Sequence, residues 1–243
     1  MTMPRITVII ATTLERSRLE SLRRALNSVL ATSSGDVLPL LVVNGQQFEQ
    51  RALDDYQSRD DVKVIYLEEA NFAKARLNGR LAVETEYFSF LDDDDEYLPG
   101  AIQLRLQLLE ETPEADCVVT NGHYLSESTR EVAKQDLHNY EAEPLIALAT
   151  TNWLGSCAGT FRTASVSEDY FPIESRYMEW TATAFLLAND RKIKILFTNE
   201  YTFQVNDSEG SLSKSPTYHL AESEVLQWLI NRPMTHLARK AWQ

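Results

Sequence analysis

The stretch FSFLDDDDEYLPGA places four consecutive aspartates, Asp92 to Asp95, directly after an apolar, aromatic run. Acidic side chains suit the start of a helix, and a charge run is often a solvated surface. Those readings account for one or two of the four. Carboxylates crowded at the end of a strand repel one another, which raises the free energy of their ionised forms unless a cation offsets it. Hard oxygen donors without His or Cys suit Mg2+, Mn2+ or Ca2+. A calcium loop of the EF-hand type starting at Asp92 is excluded: its sixth position needs Gly and is Tyr97, and its twelfth needs a carboxylate and is Gln103. Mg2+ and Mn2+ commonly complete their shell with substrate phosphates, so the cluster predicts a phosphate-bearing ligand. The remaining ligand types add nothing to this. Cys117 and Cys157 form no Cys-x-x-Cys pair and read as reduced, packed thiols, and His123, His138, His219 and His236 show no metal spacing.

The elements that must position the cluster alternate between strand and helix. Ile6 to Ile10 is an apolar, β-branched run and reads as a buried strand. Leu19, Leu22, Leu26 and Leu30 recur at helical steps behind it. Leu38 to Val43 and Val62 to Leu67 are further strands, the first closed by the turn pair Asn44-Gly45. Phe72 to Val83 reads as a helix with a basic outer face. Tyr87 to Leu91 is the strand that delivers the aspartates, Pro99 marks a helix start, and Cys117 to Thr120 is a fifth strand. Beyond about residue 120 the pattern loosens. Short strands are expected at 158–162, 193–197 and 201–205, and helices at 178–189 and 219–231. Near-continuous apolar strands in βαβ order predict an α/β fold, a mostly parallel sheet covered by helices on both faces. In such sheets ligands bind at the carboxyl ends of the strands, where the aspartates fall.

The chain has 243 residues, with 23 Lys+Arg against 36 Asp+Glu and a formal net charge of −13. That length suits one unit, residues 1–243, with a nucleotide-binding half over 1–120 and an acceptor half over 121–243. The acidity argues against nucleic acid as a partner, which would need a basic face. No apolar run reaches the ~18 residues of a membrane span. The N-terminus lacks the pattern of a secretory signal, so a cytoplasmic location is expected.

The order of these pieces resembles the family 2 glycosyltransferases of the GT-A fold. The resemblance is carried by TVIIATTLER with LRRALNSVL, by LPLLVVNG, and by NFAKARLNGRLAVETEYFSFLDDDDEYLPGAIQLRL, over roughly the first 110 residues. It implies an inverting, metal-dependent transfer of a sugar from a nucleotide-sugar donor, a UDP-sugar by preference, to a hydroxyl of a glycan or lipid-linked acceptor. Mn2+ or Mg2+ is the implied cofactor. Asp92 and Asp94 match the two acids of the family's D-x-D segment; Asp94 would bind the metal, and Asp92 or Asp93 would face the ribose or a metal-bound water. Thr12 and Thr13 fall where the first strand-end loop touches the nucleotide, and Arg76 on the basic residue beside it. A departure lies at Asn44-Gly45, where the family usually carries paired acids that help read the base. Asn44 retains a donor and an acceptor for a base edge, but the preference for uracil is weakened by the change.

The same resemblance places a catalytic base in a Glu-Asp pair opening a helix of the second half. The local match is SRYMEWTATAFLLAND, which puts Glu179 on the Glu and Trp180 on the Asp. Glu179 is therefore the expected base, with Glu174 and Asp169 as neighbours if the register differs, and Trp180 as an acceptor-stacking or core ring. Asn206 to Pro216 reads as a polar loop in which Ser211 or Ser213 could meet phosphate. Arg239, Lys240 and Trp242 form a short basic, aromatic end that suggests peripheral contact with the inner face of a membrane, or else a packed tail. Two rivals remain at this point. A nucleotidyltransferase would need a Gly-rich basic loop after the first strand, where Ala11 to Glu15 holds no Gly. A non-catalytic binding protein on the same fold is kept open by the missing Asp beside Glu179.

Overall fold

The computed structural model describes residues 3–31, 35–126, 128–173, 177–207, 216–234 and 236–242. The chain opens with β1 (Ile6–Thr12), whose residues up to Ile10 are buried. Helix α1 (Leu19–Ala31) turns Leu22, Ala25, Leu26 and Val29 inward, a three- and four-residue stripe. Then come β2 (Val37–Asn44), α2 (Gln50–Gln57), β3 (Lys63–Leu67), α3 (Phe72–Leu81), β4 (Tyr87–Phe90) and the short β5 (Glu96–Tyr97). Helix α4 (Ala101–Glu111) follows Gly100, whose φ of 79° is readily adopted only by glycine. The second half holds β6 (Cys117–Leu125), β7 (Arg130–Val132), α5 (Pro144–Leu148), β8 (Gly159–Arg162), α6 (Glu179–Asn189), β9 (Ile195–Asn206), α7 (Pro216–Ile230) and α8 (His236–Ala241).

One sheet carries strands from both halves in the order β3-β2-β1-β4-β8-β6-β9-β5, with β7 added on β6. β1 pairs in parallel with β2 and β4, and β2 with β3. β8 then enters antiparallel between β4 and β6, while β6 and β9 run parallel to each other. The chain leaves β1 towards β2 and β3 and returns on its other side as β4. The carboxyl ends of β1, β2 and β4 therefore open on one crevice at the point where the strand order reverses.

Two sequence expectations change in detail. The strands expected at 193–197 and 201–205 are one strand, β9. Its pairing with β6 jumps from Val119↔Phe197 to Asn121↔Tyr201, so the polar Thr198, Asn199 and Glu200 bulge out and break the hydrophobic pattern without ending the strand. Helix α3 does not turn all its cations outward: Arg76 and Arg80 are buried beneath it. Its close seat on the sheet needs Gly79, where an added Cβ would meet Ile9 Cγ2 at 2.4 Å and Val42 Cγ2 at 3.3 Å.

Candidate active site

The aspartate run leaves β4 and folds into a turn in which the four carboxylates take different directions. Asp93 points back under the β1 loop and is 4% exposed. Its Oδ2 accepts from Thr12 Oγ1 at 2.6 Å and from Arg18 Nε at 3.3 Å, and its Oδ1 accepts from Arg18 Nη2. Thr12 Oγ1 in turn accepts from the Leu14 N–H at 3.0 Å. Leu14 is fully buried with φ 54°, a left-handed conformation costing a non-glycine residue about 1–2 kcal/mol. Asp93 and Arg18 thus clamp a strained strand-end loop. Arg18 also reaches Asp94, Nη1 to Oδ2 at 3.2 Å.

Asp95 turns the other way. Its Oδ2 accepts from Cys157 Sγ at 3.1 Å and its Oδ1 from the Asn206 N–H at 3.0 Å. Asn206 Nδ2 donates to the Asp94 carbonyl at 2.7 Å, so the end of β9 is stitched to the aspartate turn. Asp92 and Asp94 remain half-buried at the crevice. One carboxylate oxygen each of Asp92, Asp94 and Asp95 lies within 4.8 Å of the others. Burial first, then repulsion from Asp94 and Asp93, pushes Asp92 up to about 7, against a Ser156 hydrogen bond and the charge of Arg76. Burial and the charges of Asp92 and Asp94 raise Asp95 in the same way. Hard oxygen ligands that repel one another at this spacing fit a divalent cation, which would offset the charge that the protein's own cations leave over.

The other expected residues gather around this turn unevenly. Thr13 lies beside Thr12 at the β1 end, half-buried. Asn44 is buried and donates from Nδ2 to the Thr12 carbonyl at 3.1 Å. A carbonyl only accepts, so the amide nitrogen must face it. Arg76, expected beside the nucleotide, is 1% exposed. Its guanidinium carbon lies 3.9 Å from the Trp180 ring centre, 5.4 Å from Phe171 and 5.7 Å from Phe90.

Glu179 opens α6 at 9% exposure and accepts from the Tyr177 N–H at 3.1 Å. The two residues before it, Tyr177 and Met178, both have positive φ, 65° and 54°. Two successive non-glycine residues in the left-handed region hold strain of about 1–2 kcal/mol each next to the expected base. Glu179 and Asp92 both lie close enough to Arg76 to stabilise its charge. Asp169 is exposed and borders a surface cavity with Asn189, at the opposite end of α6. Glu174, Ser211 and Ser213 lie outside the described residues.

Trp242 is turned inward, donating from Nε1 to the Leu145 carbonyl at 2.9 Å and packing edge-on to Phe185. The C-terminal ring is thereby docked in the protein. No described helix is long and apolar enough to cross a membrane.

Sequence reasoning missed Arg18, Ser156 and Asn206. Arg18 had a usable signal: a cation immediately before α1 opposes the helix dipole and calls for an acidic partner. Ser156 and Asn206 sit in unpatterned stretches and had none.

With this geometry in hand, residues 7–171 match the family described as Glycosyl transferase family 2. The chain belongs to this family. A comparison with curated protein sequences gives no significant match. The fold is similar to residues 1–349 of S. aureus TarS in complex with UDP, with a TM-score of 0.72 at 17% identity over 97% of this chain and 68% of that one. The complex of the same TarS segment with UDP-GlcNAc gives 0.71 at 16% identity over 97% and 69%. Another S. aureus TarS structure gives 0.69 at 18% identity over 97% and 41%. The likeness establishes the GT-A fold, and family membership makes the chain a glycosyltransferase; the nucleotidyltransferase alternative falls.

Proposed function

We propose that this glycosyltransferase transfers a sugar from a UDP-sugar to a hydroxyl of a glycan or lipid-linked acceptor, with inversion and with Mn2+ or Mg2+ bound, as one GT-A unit working in the cytoplasm. The observation that carries the reading is the pair Asp92 and Asp94, half-buried and mutually repelling at the crevice where β1, β2 and β4 end. Asp94, helped by Asp92, would hold the cation, whose Lewis acidity stabilises charge on a departing diphosphate. Thr13 at the β1 end would line the nucleotide's entry, and Thr12 would act through its clamp on Asp93. The orientation of Asn44 is compatible with uracil despite the lost acid. One N–H of its Nδ2 is committed to the Thr12 carbonyl, which fixes the amide's orientation and leaves Oδ1 as an acceptor, the role an aspartate would fill. A uracil N–H is a matching donor. The UDP and UDP-GlcNAc complexes of TarS support the same class of donor.

Glu179 would take the proton of the acceptor hydroxyl as that oxygen bonds to the anomeric carbon and the bond to the diphosphate breaks. General-base help of this kind is worth roughly 10²–10⁴-fold in rate. Contact with a membrane surface remains part of the reading only through a lipid-linked acceptor, since Trp242 is docked inside.

The test is UDP binding by calorimetry with and without Mn2+, followed by release of UDP from UDP-GlcNAc. Mn2+-dependent binding lost in Asp94→Ala, together with turnover lost in Glu179→Gln at unchanged UDP affinity, is the expected result. Binding of UDP that ignores Mn2+, or equal loss of binding in both variants, would overturn the division of roles.

A further inference from the structure

Arg76 carries a full charge in a place where it can touch little. It projects from α3 into a cage made by Trp180 of α6, Phe90 of β4 and Phe171. Nη2 donates to Thr183 Oγ1 at 2.8 Å, while Nε and Nη1 have no hydrogen-bond partner. Burial pulls its pKa down to about 10, and the charges that oppose this are Glu179 and Asp92. A residue that binds the phosphates of the donor would have to offer N–H groups to the crevice, whereas the unpartnered Nε and Nη1 of Arg76 are buried. Arg76 instead sets its guanidinium over the Trp180 ring and spends a hydrogen bond on Thr183, one turn further along α6. Arg105, equally buried, behaves differently: it uses Nε and Nη2 on Thr202 Oγ1 and Nη2 on the Cys157 carbonyl, a structural tie between strands and loops.

Trp180 and Thr183 are three residues apart and share one face of α6, directly after Glu179. The turn before them, Tyr177 and Met178, is left-handed and strained. Such a turn persists only when its surroundings fix it, and the contact from α3 supplies that constraint from outside the helix. Filling the cage does not require a cation, because an apolar side chain of similar length avoids the desolvation cost of a guanidinium. A cation adds the attraction to Glu179 and to the ring face. Trp180 stands where the family resemblance implies an aspartate, and its ring centre lies 3.9 Å from the Arg76 guanidinium carbon.

We propose that Arg76 is a positioning residue for Glu179: seated on the Trp180 ring and tied to Thr183, it fixes the first turn of α6 and does not itself bind the donor. The inference rests on Glu179 being the base for the catalytic part alone; the tether stands on the geometry.

The test compares Arg76→Met, Arg76→Lys and Thr183→Val with the wild type. Thr183→Val removes the tether while leaving the cation and its volume, and serves if Arg76→Met does not fold. Three readouts are taken: hydrogen exchange of the amides at 178–183, affinity for UDP with Mn2+ by calorimetry, and consumption of UDP-GlcNAc. In Arg76→Met, exchange at 178–183 should quicken at least tenfold while β1 and β2 stay protected. UDP affinity should stay within threefold, and turnover should fall about a hundredfold. Arg76→Lys, which keeps the charge, should recover part of the turnover. A packing role alone would rank the two the other way, since methionine fills the cage without a charge to bury. Unchanged exchange in Arg76→Met and Thr183→Val, or a tenfold loss of UDP affinity with unchanged exchange, would overturn the proposal. Full turnover in Glu179→Gln, with the exchange effect intact, would instead remove Glu179 as base and leave the tether standing. Absent UDP binding in the wild type would count against the donor assignment, and the exchange readout would still decide the tether.

Discussion

Removing the charge of Asp92 should make the metal-free protein more stable at neutral pH, and the structure sets the size of the effect. Burial and the neighbouring carboxylates hold Asp92 near 7 against an ordinary value of 3.8. A carboxylic acid whose pKa is higher in the folded state binds its proton more tightly there. Its stabilising contribution is full below pH 3.8, declines as the pH rises, and is gone above about 7. The whole span corresponds to roughly 4 kcal/mol, and the part between pH 5.5 and 7.5 to roughly 2 kcal/mol. At this chain length that is a fall in Tm of about 4–8 °C over that interval. Asp92→Asn cannot ionise and should lack this component, so its Tm should rise relative to wild type as the pH increases. Under the proposed metal role, Mn2+ would bind the ionised cluster and should reverse the trend: a clear rise in wild-type Tm at pH 7.5, little at pH 5.5, and a much smaller response in Asp92→Asn. The assay is thermal unfolding of both proteins at the two pH values, with and without Mn2+. Parallel pH profiles for the two proteins, or an Mn2+ shift of equal size at both pH values, would refute the argument that the cluster is held together against its own charge.

Three further outcomes follow from the geometry. Arg18→Gln leaves Asp93 buried without its cation and should cost roughly 3 kcal/mol in denaturant unfolding, most of it recovered when Asp93→Asn is added. Gly79→Ala should destabilise by about 1–3 kcal/mol despite alanine's better helix propensity, because its Cβ would stand 2.4 Å from Ile9 Cγ2; a stabilised protein would show that α3 can lift off the sheet freely. Asn44→Leu should lose UDP affinity at least tenfold, measured by calorimetry with Mn2+; unchanged affinity would remove Asn44 from the base site.

Local patterning and the family motif carried the nucleotide half of the fold. The Ile6 to Ile10 run, the leucine stripe of α1 and the aromatic strand before the aspartates each state their element within a few residues, because burial on one face or two leaves a periodic trace. Helix α2 left almost none, since Leu53 is its single buried residue. The bulge in β9 divided one strand into two apparent ones. In the site, the residue types of the aspartate run pointed to a cation and a phosphate-bearing ligand, and the structure adds the close grouping of three of the carboxylates.

What the sequence determined by itself, then, was the chemistry on offer: carboxylates after a buried strand, and the order of elements that delivers them to a crevice. Which carboxylate does what was decided only in three dimensions. Four identical side chains in a row differ through partners far away in the chain: Arg18 and Thr12 for Asp93, Cys157 and Asn206 for Asp95, and, at the crevice, Ser156 for Asp92 and Arg18 for Asp94. Arg76 shows the same limit, since its spacing on α3 reads as a surface cation and the ring and hydroxyl it meets on α6 lie some hundred residues on. Charge and hydrogen-bonding capacity are properties of a residue, whereas desolvation and partnership belong to the packed chain.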